Sequence, residues 1–107
     1  MGELIWLDSL QWEPLRPDVA KGVSARTYYN SCGIKVSYVR VAPGGQFELH
    51  RDAYGHLLHF LEGTGLAGIN GQEFEVGPGA VLKVVAGDEH FYCNTGEGEL
   101  RLISVNL

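Results

Sequence analysis

The sequence predicts an all-β fold, either a barrel or a double-sheet jelly roll. Segments rich in β-branched and aromatic residues recur along the 107 residues, and turn signals interrupt them at short, regular intervals. Fifteen glycines, roughly twice the usual share of ~7%, point to many tight turns. A chain of this length is expected to form one domain over residues 1–107, with enough surface to bury for a single core.

The elements follow in chain order. "ELIWLD" is a candidate strand within an N-terminal segment of residues 1–23, and Pro14 and Pro17 argue against a helix beyond it. "SARTYY" and "IKVSYVRVA" flank the turn "NSCG", and "PGG" (43–45) is expected to end the second of them. "QFELH" leads into "HLLHFLEG". "TGLAGI" and "QEFEV" are separated by Asn70 and Gly71, the strongest two-residue hairpin signal. "AVLKVV" lies between "GPG" and "AGDE", "HFYCN" ends at "TGEGE", and "LRLISVNL" follows. The sum is eight or nine short strands, with no internal repeat, low-complexity tract or linker.

Charge and composition narrow the function. Thirteen acidic residues against eight basic ones give a net charge of −5, with no basic stripe to neutralise phosphates, so nucleic acid is not an expected partner. No stretch approaches the ~18 apolar residues of a membrane span, and the start lacks the pattern of a signal peptide or a myristoylation site. Cys32 and Cys93 are too far apart for a CxxC pair and read as two buried thiols in a reducing compartment, with the cytoplasm as the default location.

Three of the four histidines fall within "HRDAYGHLLHF" (50–60). Alternation puts His50 and Asp52 on one side of a strand, and His56, Leu58 and Phe60 on one side of the next. His59 points the other way and is excluded. Glu48 shares the face of His50 only if the strand carries no bulge; a solvated edge position suits it better. His90, Tyr92 and Asn94 share a face further along. Whether His90 meets His50 and His56 does not follow from periodicity. If it does, a divalent metal would offset the cost of burying three imidazoles without partners.

"PGGQFELHRDAYGHLLHFLEGTG" followed by "VGPGAVLKVVAGDEHFYCN" resembles the two conserved motifs of the cupin superfamily, small jelly-roll barrels whose metal site is built from both. In the first motif (44–63), Gly44, His50 and Gly63 match; Asp52 stands at the second histidine and His56 at the glutamate. In the second (79–94), Gly79, Gly87, His90 and Asn94 match, and Val85 replaces a proline. The nearest subgroup is that of small cupins with histidine at the glutamate position, which carry a four-histidine site. The resemblance therefore implies a double-stranded β-helix and one divalent ion (iron, manganese, nickel, zinc or copper) on His50, His56 and His90. Asp52 either ligates directly, acts through water or caps its loop.

The function this implies is metal-dependent oxygenase or oxidoreductase chemistry on a small organic molecule. Isomerase or lyase chemistry and a non-catalytic ligand-binding or sensor role are the alternatives. Tyr54, in the loop between ligands, is a candidate for hydrogen-bonding a metal-bound group. Phe60 and Tyr92 are either pocket lining or plain core, and Asn94 is expected to hold a turn. Trp6, Trp12, Tyr28 and Tyr29 are expected to cover one end of the barrel or to form a homodimer contact, since small cupins commonly dimerise through this region.

Overall fold

Nine strands form in this chain because its β-branched and aromatic segments alternate inward and outward, and the computed structural model describes all of residues 1–107. They are β1 (Glu13–Pro14), β2 (Ala20–Ser31), β3 (Ile34–Arg51), β4 (His56–Glu62), β5 (Gly65–Ile69), β6 (Gln72–Val76), β7 (Val81–Val84), β8 (Glu89–Asn94) and β9 (Leu100–Asn106). Neighbours run in the order β6-β5-β8-β3-β9-β4-β7, with β2 beside β3 and β1 on β2; all pairings are antiparallel.

The long β3 explains how one path makes two layers. Its first half pairs with β9 at Lys35–Val41, and its second half pairs with β8 at Gln46–Arg51. The strand turns the corner between sheets, as strands do in orthogonal packings. "PGG" marks that corner. The expected break at 43–45 is instead a bend within one strand: Pro43 has no N–H to give to a ladder, and Gly44 takes a left-handed φ of 77°. The inner faces meet in one core, where Val39, Val41, Phe60, Leu100 and Leu102 pack with Phe47, Ala67 and Tyr92.

Other expectations are corrected. "ELIWLD" forms no strand; a single 3-10 turn covers Leu7–Ser9. Strand β2 starts at Ala20, inside the segment expected to precede it. The thiols are not buried: Cys32 is exposed in the β2–β3 turn with φ 54°, and Cys93 is half-buried on the outward side of β8. Three of the four aromatics Trp6, Trp12, Tyr28 and Tyr29 do not cover a barrel end. Trp6 and Tyr29 are exposed, and Trp12 lies against β2 and β3, with the guanidinium carbons of Arg26 and Arg40 4.3 and 4.1 Å from its ring centre.

Alternation is as expected in β4, where His56, Leu58 and Phe60 are buried while His59 and Leu61 are exposed. Asn94 holds its turn: its amide donates to the carbonyls of Val41 and Gly98, and its oxygen accepts from Gly96 N–H. At Gly63, with φ 87°, an added Cβ would collide with the carbonyl oxygen of Glu99, so the β4–β5 connection requires glycine.

Candidate metal centre

Three elements deliver the imidazoles to one end of the barrel. His50 near the end of β3 lies directly opposite His90 at the start of β8. His56 opens β4 opposite Asn106 of β9. Asp52 follows β3 and faces the same space, with its side chain 5% exposed. The ring centres of His50 and His90 are 4.2 Å apart, and those of His56 and His90 are 5.1 Å apart.

The nitrogen atoms are oriented as well as close. The Nδ1 of His50 meets the carbonyl of Glu48, that of His90 the carbonyl of Asp88 at 2.9 Å, and that of His56 the side-chain oxygen of Asn106 at 3.0 Å. Each acceptor suits a proton on Nδ1, the tautomer that would present the Nε2 lone pair to a metal. All three Nε2 atoms face one oxygen, Asp52 Oδ2, at 3.0 Å from His50, 2.9 Å from His56 and 3.6 Å from His90. Three imidazole nitrogens and one carboxylate oxygen thus converge on one small volume.

Such a donor set fits a cation. Two ligands each about 2.1 Å from an ion stand about 3.0 Å apart at right angles and about 3.4 Å apart at tetrahedral angles. The separations from His50 and His56 are close to the first value, and that from His90, 3.6 Å, is slightly beyond the second. His50, Asp52 and His90 form the tightest trio, with ligand atoms all within 4.8 Å of one another; His56 joins it through Asp52. Imidazole and carboxylate without thiolate suit iron, manganese, nickel, zinc or copper.

Sequence reasoning missed the residues that hold Asp52 in place. Arg16 donates to Asp52 Oδ1 at 3.1 Å, grips Asp18 with two bonds of 3.1 and 3.0 Å, and reaches the Tyr54 hydroxyl at 3.4 Å. Burial would raise the Asp52 carboxyl, but hydrogen bonds from Arg16 and His56, with the nearby charges of His50 and Arg16, hold it below the ordinary carboxylate range. Asn106 and Lys35 were also overlooked. Alternation in β9 put Asn106 on the face of Leu102, but only the β4–β9 register shows that it meets His56. Glu48 is no reserve ligand, because the register shifts between Phe47 and His50 and its carboxylate lies outward, 4.0 Å from Lys21.

The space before the imidazoles is a cavity of about 40 Å³ whose lining includes Leu15, Lys35, Phe47, Tyr54, Leu58 and Tyr92. Tyr54 stands edge-on to His56 with ring centres 4.9 Å apart. Tyr92 shares the lining, whereas Phe60 is wholly buried core beneath it.

The cluster predicts an acid-sensitive fold in the absence of metal. Burial lowers the His90 pKa from 6.5; His50 and His56 add to this, opposed by the Asp88 carbonyl and the Asp52 charge. A depressed folded value means that the unfolded chain binds the proton first, so stability is full above about 6.5 and declines as pH falls toward the folded pKa. Calorimetry of chelated protein should show a midpoint that drops between pH 7 and 5, and drops less in His90→Asn. A midpoint that rises over that interval would contradict the burial argument.

Comparison with known proteins agrees with the architecture. The family described as the cupin domain matches residues 37–106. No curated protein matches the chain. Among solved structures, the polyketide cyclase RemF from Streptomyces resistomycificus is 21% identical with a TM-score of 0.88, over 99% of this chain and 79% of that one. A predicted oxalate decarboxylase from Thermotoga maritima is 19% identical with a TM-score of 0.90, over 98% of both chains. KdgF from Halomonas sp. is 12% identical with a TM-score of 0.84, over 99% of this chain and 94% of that one. At these identities the likeness is one of fold. With the family match over most of the barrel and both motifs lying on the strands that meet at the histidines, the chain belongs to the cupin family.

Proposed function

We propose that this cupin is a mononuclear metal-dependent enzyme of the oxygenase or oxidoreductase type, acting on a small organic molecule. The observation that carries the reading is the convergence of three Nε2 atoms on one carboxylate oxygen, while each Nδ1 is engaged by a separate acceptor. His50, Asp52, His56 and His90 would hold the ion. When bound, it supplies either a redox couple for dioxygen chemistry or a Lewis acid.

The chain's own residues do the rest. The three Nδ1 contacts fix the tautomers. Arg16 engages Asp52 Oδ1 and so leaves Oδ2 to face the imidazoles. Phe47, Leu58 and Tyr92 keep the inner wall apolar and restrict water. Tyr54 places a hydroxyl at the lining, within reach of Arg16, where it would hydrogen-bond a substrate group.

That hydroxyl also favours a second reading, isomerase or lyase chemistry without a change of oxidation state. A phenol near a polarised carbonyl is a proton donor. The similar structures of a cyclase and a predicted decarboxylase are compatible with this second reading. The test is oxygen uptake by iron-loaded protein over a panel of small organic substrates. Uptake coupled to substrate loss is the expected result. Conversion without oxygen by zinc-loaded protein would replace it with the second reading, and a ligand recovered unchanged under both conditions would make the protein a binding module.

A further inference from the structure

We propose that the pocket takes a small organic carboxylate and that Lys35 is the residue that reads its charge. The inference rests on the metal reading above and adds the substrate class. Strand register arranges the inner wall of the β3-β9-β4 layer in levels. Lys35, Asn106 and His56 lie side by side at the open level. Ser37, Ser104 and Leu58 form the next, and Val39, Leu102 and Phe60 close the floor. Polar recognition is therefore confined to the level of the imidazoles and the one beneath it. Two strand spacings of ~4.8 Å place Lys35 about 10 Å from His56, backbone to backbone.

Lys35 has no partner of its own. It lines the cavity, is half-buried, and makes no hydrogen bond or ion pair, in a chain with thirteen acidic residues to eight basic ones. Five of those basic side chains do pair with carboxylates: Arg16, Lys21, Arg26, Arg51 and Arg101. Arg16, the other cation near the site, is already bound to Asp18 and Asp52. Apart from Asp52, which is turned to the imidazoles, no carboxylate faces the cavity. With a divalent ion held by the single charge of Asp52, the pocket carries an excess of positive charge, and Lys35 is the part of it free to meet a ligand. A carboxylate there gains a charge-assisted hydrogen bond. The matching ligand has an oxygen for the metal end and a carboxylate a few bonds away.

Two hydroxamates test this: succinic acid monohydroxamate, and butyrohydroxamate, which has the same metal-binding head and an uncharged tail. Calorimetric titration of zinc-loaded wild type should show the acid binding about tenfold or more tightly, the scale of a hydrogen bond to a charged group. The preference should vanish in Lys35→Met and return in Lys35→Arg, with zinc content unchanged in both, since Lys35 is not a ligand. Equal affinities in wild type, or a preference that survives Lys35→Met, overturns the proposal. The same pair titrated into metal-free protein separates the two readings. If no variant retains zinc but a Lys35-dependent preference for the acid persists, the metal assignment fails and the anion site stands.

Discussion

Protein purified without chelator and carrying His90→Ala is expected to lose its transition ion, falling from about one ion per chain to near none. His90 is 3% exposed, lies opposite His50 in the ladder, and aims its Nε2 at Asp52. Its removal takes away one of three imidazoles and opens a gap in the wall that a water can fill. Losing a supporting hydrogen bond to a ligand typically costs 10–100-fold in metal affinity, so losing the ligand itself should cost more. Elemental analysis reads the outcome directly, and circular dichroism shows whether the variant has folded. His59→Ala is the matched control, because His59 is exposed on the outward side of β4 and should leave the metal content unchanged. Undiminished metal in folded His90→Ala would remove the basis for the site.

The second large effect is on stability. Phe60→Ala should lower the free energy of unfolding by about 3–5 kcal/mol, the usual range for a buried phenylalanine. Phe60 is fully buried, stands edge-on to Tyr92 with ring centres 6.1 Å apart, and shares its level with Val39 and Leu102, both also at 0% exposure. Its ring bridges the two sheets directly beneath the cavity, and their paired backbones cannot simply collapse into the space. Against a total of about 5–15 kcal/mol for a domain of this kind, the loss is a large fraction. Urea unfolding measures it. A change below about 1.5 kcal/mol would show that the floor of the barrel repacks.

Local pattern carried most of the strands and the inward faces of the candidate site. His56, Leu58 and Phe60 alternate with Leu57, His59 and Leu61, and the structure buries the first set. The same rule separates His90, Tyr92 and Asn94 from Phe91 and Cys93. What pattern does not contain is adjacency between distant strands. The pairing of His50 with His90, and of His56 with Asn106, depends on which strands become neighbours; the two-motif resemblance pointed to the first, and nothing in the sequence pointed to the second. Arg16 was hidden for the same reason. Between Pro14 and Pro17 it looks like one more residue of an irregular segment, yet its partner Asp52 lies 36 positions away. "PGG" misled because proline and glycine signal a corner without saying whether the strand resumes beyond it.

Strand β9 is the shared neighbour of β3 and β4, which do not pair with each other. The layer holding Lys35, Asn106 and His56 is therefore open until a segment some fifty positions downstream of His56 inserts between its flanks. Contacts that distant in sequence close slowly, on the millisecond-to-second scale of β-barrels. Until they close, His56 lacks its anchor, so ion capture should trail the assembly of the sheet rather than nucleate it.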